Sequence, residues 1–155
     1  MLSFMDNDVA GGKSMLKQIE NEILNKISQY AQSIDEVDLD LASDLWLNSD
    51  EVTFIHPRGH EHGLEEVKQN FYIKTMKERF SKRKLTIFDI KLQVYQETVV
   101  AEFYWDFIAQ FRDTGEPHLT KGRETQVFVR DLNGEWKLVH IHYSNMPVTG
   151  DREGF

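Results

Sequence analysis

The sequence predicts an α+β domain, with helices in the N-terminal half and an antiparallel sheet after them. Three observations carry this. Apolar residues in the first half recur at helical spacing. The second half consists of long runs rich in Val, Ile, Thr, Phe, Tyr and Trp. Only turn chemistry separates those runs, so helix and strand are segregated rather than alternating.

Taken in order, residues 1–13 read as a flexible tail, since Asp6, Asn7, Asp8, Gly11 and Gly12 favour turns over helix. Ser14 can cap a first helix. Its stripe is Leu16, Ile19, Ile23, Ile27, Tyr30 and Ile34, spaced by three or four residues. Asp38 can cap a second helix containing the i, i+4 pairs Leu41/Leu45 and Ala42/Trp46. Val52 to His56 is a short β-prone run stopped by Pro57, and Gly59 and Gly63 bracket another extended piece. Leu64 to Phe80 predicts a third helix with Leu64, Val67 and Phe71 on one face. The strand candidates are Lys84–Tyr95, Thr98–Phe111, Lys121–Arg130 and Trp136–Ser144. Asp113-Thr114-Gly115 and Asp131-Leu132-Asn133-Gly134 supply turns between them. Val148 to Phe155 reads as a second loose end, which leaves 14–147 as the domain.

Composition narrows the function. The chain has 155 residues, 26 acidic against 18 basic, for a net charge of −8. That balance argues against binding nucleic acid or docking on an anionic membrane. Cysteine is absent, which excludes disulfides, thiolate metal sites and cysteine nucleophiles, and suits a cytoplasmic protein. Hydrophobic residues make up 40% and aromatics 12%, so the chain can build a core. Both faces of Thr98–Phe111 carry bulk: Val99, Phe103, Trp105, Phe107 and Phe111 on one, Val100, Tyr104 and Ile108 on the other. A sheet with one wet face alternates more cleanly, so a second subunit is expected on the outer face. A single chain with a few exposed aromatics is the alternative.

The C-terminal half carries a more specific pattern. Arg123-Glu124-Thr125-Gln126-Val127-Phe128 leads through Asn133-Gly134-Glu135-Trp136 to Val139-His140-Ile141-His142-Tyr143-Ser144 and then Pro147. This resembles the association (hub) domain of calcium/calmodulin-dependent kinase II and the related SnoaL-like proteins of the nuclear-transport-factor-two-like superfamily. The resemblance implies a cone: N-terminal helices packed on a strongly curved antiparallel sheet, with a pocket at the open end. It also implies a homodimer through the outer sheet face, and a ring as a higher oligomer.

The resemblance assigns positions too. Val52 to Gly59 is similar to the ketosteroid isomerase stretch in which an Asp before Pro is the general base; here that position holds His56. A histidine near its ordinary pKa can take a proton at neutral pH. The alternative is a histidine hydrogen-bonded at a strand end. The tyrosine oxyanion donor of that family lies about two dozen residues before the base, which points to Tyr30, though Tyr30 also sits on the core stripe. No residue matches that family's second, protonated acid. The hub family's basic pocket positions fall here on Phe107, Gln126 and Tyr143, so the pocket is expected to be more apolar. Strand parity lines it with Phe103, Trp105, Phe107, Gln126, Phe128 and Tyr143, with Arg58 as the nearby cation. Ordinary core is the competing reading of those aromatics. By the same parity His140 and His142 point outward with Trp136 and Leu138, unless a bulge intervenes.

His56, His60 and His62 with Glu61 raise a metal reading, but Pro57 and Gly59 interrupt their spacing, and no metal or cofactor is expected. The basic run Lys77 to Lys84 reads as a solvated helix end. The expectation is a small-molecule-binding domain, with acid–base chemistry of isomerase or cyclase type at His56 and Tyr30. The alternative is an association module without chemistry.

Overall fold

The structure, a computed structural model, describes residues 2–147, with side chains from residue 11 onward. The expected tail at 148–155 lies outside the described residues. Helix α1 spans Leu2–Glu36. The segment expected as a tail up to residue 13 is therefore helical from Leu2, and Ser14 lies inside the helix. Once a packed stripe fixes a helix, extending it carries no new nucleation cost. The stripe holds from Ile19 onward: Ile19, Ile23, Ile27, Tyr30 and Ile34 are buried, whereas Leu16 is exposed.

Asp38 caps α2 (Leu39–Leu45), its Oδ1 accepting from the Leu41 N–H at 3.0 Å. Strands β1 (Thr53–His56) and β2 (Gly59–His62) form a small hairpin. A short α3 (Leu64–Glu66) opens directly into a π-helix, Val67–Lys77. The chain is already in strand at Phe80, so the third helix ends before the expected position. π-Helical turns are rare and cluster at functional sites. Here they turn Phe71, Thr75 and Met76 toward the interior.

The four long strands are β3 (Phe80–Tyr95), β4 (Thr98–Phe111), β5 (Pro117–Arg130) and β6 (Trp136–Asn145). The sheet order is β2-β1-β6-β5-β4-β3. It is mixed, not purely antiparallel, because β1 runs parallel to β6. Parallel neighbours need a long crossover, and everything between β1 and β6 supplies it. Register breaks at Phe80/Lys82, Phe88/Lys91 and Val127/Phe128 bend the strands into a curved sheet around α1.

The inner face is the core. On β4, Val99, Ala101, Phe103, Trp105, Phe107 and Ala109 are all buried, as alternation predicts. The break on β6 makes Val139 the extra residue: Val127 pairs with His140 and Phe128 with Leu138. This corrects the parity reading of that strand. Trp136 and Leu138 are buried in the core, while His142 is exposed and His140 half-buried.

The basic run also departs from expectation. Arg83 donates to the carbonyls of Ile34 (3.0 Å), Asp35 (3.2 Å) and Phe80 (2.6 Å). It satisfies the open carbonyl end of α1 and ties it to β3. No helix among the described residues is long and apolar enough to cross a membrane.

Candidate functional site

A cavity of about 220 Å³ lies between α1, the π-helix and the inner face of the sheet. Its floor is apolar: Ile34, Phe71, Met76, Phe80 and Phe107 contribute. Polar groups come from four elements. Tyr30 projects from α1, Thr75 from the π-helix, Glu124 from β5 and Tyr143 from β6. Arg58, Arg79 and His118 line it as well.

Five of the nine expected site residues meet here: Tyr30, Arg58, Trp105, Phe107 and Tyr143. Phe103, Gln126 and Phe128 are buried in the core behind this wall rather than lining it. Gln126 acts indirectly, through Glu124. His56 is also set back. Its ring packs 5.3 Å from Phe71 and 6.1 Å from Tyr143, centroid to centroid.

Both His56 nitrogens are engaged. Nδ1 accepts the Arg58 backbone N–H at 3.3 Å. The ring proton therefore sits on Nε2, which donates to Glu61 Oε2 at 3.0 Å. Asn70 Nδ2 donates to the other oxygen, Oε1, at 3.1 Å. The β1–β2 hairpin places Glu61 beside His56, because Phe54 pairs with Glu61 and His56 with Gly59.

Glu124 is the group the sequence reading missed. It is only 5% exposed and lies on the cavity wall. Burial pushes its carboxyl up to about 8, against a smaller opposing effect from Gln126. Gln126 Nε2 donates to Glu124 Oε2 at 2.6 Å. Alternation held the signal. Residues 124, 126 and 128 share a face of β5, so an inward Gln126 and Phe128 required an inward Glu124. Around it, burial holds the hydroxyls of Tyr30 and Tyr143 well above their usual range, with the nearby Glu124 adding to both. Both remain neutral donors at physiological pH.

Two further details shape the wall. Trp105 lies flat across Gly122, its cross-strand partner on β5. A Cβ at Gly122 would collide with the indole and would stand 2.7 Å from the Ser144 carbonyl oxygen. Glycine is what lets the ring settle there. The Trp105 Nε1–H is buried and has no protein acceptor among the described residues. Elsewhere, the rings of His60 and His62 lie 4.2 Å apart, tilted by 40°, on the far side of the sheet. Among the described residues no three His, Asp or Glu side chains converge as a metal site.

A curved sheet closed over a long helix, with a cavity at one end, is the architecture of the NTF2-like superfamily. An NTF2-like superfamily protein from Salmonella enterica serovar Typhimurium LT2 matches with a TM-score of 0.87 at 42% identity. The match covers 90% of this chain and 99% of that one. Within the superfamily, the chain belongs to the SnoaL-like domain family, whose model matches residues 23–149. Two more distant structures share the fold. The S. rosetta CaMKII hub has a TM-score of 0.67 at 23% identity, covering 81% of this chain and 95% of the hub. The hexachlorocyclohexane dehydrochlorinase LinA-type3 of Novosphingobium barchaimii LL02 has a TM-score of 0.72 at 14% identity, covering 88% and 94%. No curated protein matches the sequence.

Proposed function

We propose that this SnoaL-like domain binds a small, largely apolar molecule in the cone cavity and moves a proton on it, with Glu124 as the proton carrier. The observation that carries this is a buried carboxyl, pushed up to about 8, on the wall of a cavity with an apolar floor. At neutral pH such a group is mostly protonated yet close to release, which suits general acid–base work. Tyr30 and Tyr143 are donors that can hold a carbonyl oxygen as charge builds on it. Together these fit proton transfer beside a carbonyl, the step shared by isomerase- and cyclase-type reactions. His56 takes a different part from the one its motif suggests. With both nitrogens engaged, it buttresses Phe71 and Tyr143 from behind.

The test is exchange of the α-hydrogens of a panel of aryl and cyclic ketones for deuterium, followed by NMR. Wild-type protein should catalyse exchange in at least one ketone. Glu124→Gln should lose it about a hundredfold or more while keeping its fold. Exchange that survives the substitution would remove Glu124 from the chemistry.

The outer face of the sheet favours a second reading, in which a copy of the chain docks there. Phe88, Tyr104, Ile108 and Leu119 are exposed on it, with Phe88 and Tyr104 stacked at 6.3 Å and Ile108 paired with Leu119. Such a homodimer, or a larger ring built from it, is compatible with the cavity reading because the cavity opens on the other face. Native mass spectrometry of freshly purified protein would read subunit number and any co-purified adduct together.

A further inference from the structure

The rim of the cavity differs in charge from both its interior and the rest of the chain. The protein is acidic overall, at −8. Yet Arg58 and Arg79 line the cavity together with His118, and among the described residues no carboxylate forms an ion pair with either arginine. Arg79 lies over the rings of Phe80 and Phe111, at 5.1 and 5.8 Å, which fixes its plane at the edge of the apolar wall. The two guanidiniums sense each other: after burial, the charge of Arg58 is what most holds Arg79 below its usual range. Burial lowers His118, and the charge of Arg79 adds to it. Like charges gathered without a counter-ion are relieved by an anion.

The interior imposes the opposite demand. Glu124 lies there among aromatic rings, and an anion beside it would push its proton off even less readily. A ligand satisfying both regions must be ordered end to end. Its anionic group stays at the rim, its apolar body fills the space over Phe71 and Phe107, and an oxygen acceptor reaches the tyrosines. The cavity is smaller than the roughly 300–1,000 Å³ typical of drug-sized ligands, so the molecule is compact.

We infer that the ligand is a small amphiphilic carboxylic acid, bound as its carboxylate by Arg58 and Arg79 at the cavity rim with its apolar end directed inward. This rests on the cavity being the ligand site, as proposed above.

Calorimetric titration of the intact protein with matched pairs tests it: benzoate, hydrocinnamate and hexanoate, each against its primary amide. The carboxylates should bind about tenfold or more tighter than the amides, and weaken as salt is raised. In the double variant Arg58→Gln, Arg79→Gln, that preference should fall below about threefold, while amide affinity stays within about twofold of wild type. The retained amide affinity reports that the variant is folded. Equal binding of acids and amides would overturn the carboxylate assignment and leave the cavity reading standing. A carboxylate preference that survives in the double variant would overturn the role of the arginines. Failure of every acid and every amide to bind would overturn the cavity reading, and this inference with it.

Discussion

Two carboxyl groups are buried among the described residues, and they are held in opposite ways. Glu61 is 7% exposed and has a donor on each oxygen, His56 on one and Asn70 on the other. Glu124 is 5% exposed and receives one amide hydrogen, from Gln126, among the described residues. The first carboxyl is satisfied and faces packed rings. The second is under-supplied, keeps its proton to about pH 8, and faces a cavity. The contrast teaches that burial alone does not mark a working group. A buried acid with full donors builds structure, while one short of donors is left poised to react.

The sharpest way to break this contrast is to remove a donor from Glu61. His56→Ala should destabilise the fold by about 3 kcal/mol in urea unfolding, because it strands one side of a buried carboxyl. A loss under about 1 kcal/mol, paired with lost ligand binding, would return His56 to the chemistry and collapse the distinction.

Next comes pH. The folded pKa of Glu124 is raised to about 8 from an ordinary 4.5. Between those values the folded protein holds a proton that the unfolded chain has released, so raising the pH lowers stability. The contribution is complete below the unfolded pKa and is lost as pH rises through the folded one. Glu124→Gln cannot titrate. Its stability relative to wild type should therefore grow from pH 5 to pH 8, by about 3 kcal/mol. A constant difference across that range would mean that Glu124 titrates normally.

Asn70→Ala should act in the same direction as His56→Ala but more weakly. A loss of about 1 kcal/mol is expected, since it removes one hydrogen bond from the edge of the Glu61 cluster. The smallest effect on stability belongs to the outer face, far from both acids. Leu119→Asp should change the unfolding free energy of the single chain by no more than about 0.5 kcal/mol in urea. It should nevertheless shift the native mass spectrum toward monomer if the exposed apolar row is a subunit contact.

Much of the architecture was legible where signals were local. The Ile19–Ile34 stripe, the Asp38 cap and the alternation on β4 depend on residues a few positions apart, and each appears as the spacing implied. The parallel pairing of β1 with β6 was not legible, because Thr53 and its partner His140 lie 87 residues apart in the chain. The start of α1 was misjudged because residue preference at the N-terminus is weaker than the pull of a helix already packed. In the site, Tyr30 and Tyr143, read from motif and parity, both line the cavity. The partner of His56 was not legible, because its neighbours in sequence say nothing of Glu61 folding back across the hairpin. Glu124 was readable by parity, yet its charge made it look like a surface residue.

Val139 shows how shape can be written as a count. It is the one residue of β6 left over in the ladder with β5. A chain lacking it would return that stretch to strict alternation, with Leu138, Ile141 and Tyr143 on the faces they now occupy. Every side chain would keep its neighbours' chemistry, but the strand would lose its local bend. The bend at Val139 lies beside Phe128 and Leu138, in the packed core and apart from the residues that line the cavity. The curvature of the sheet can therefore be altered by insertion or deletion without substituting any residue of the cavity wall.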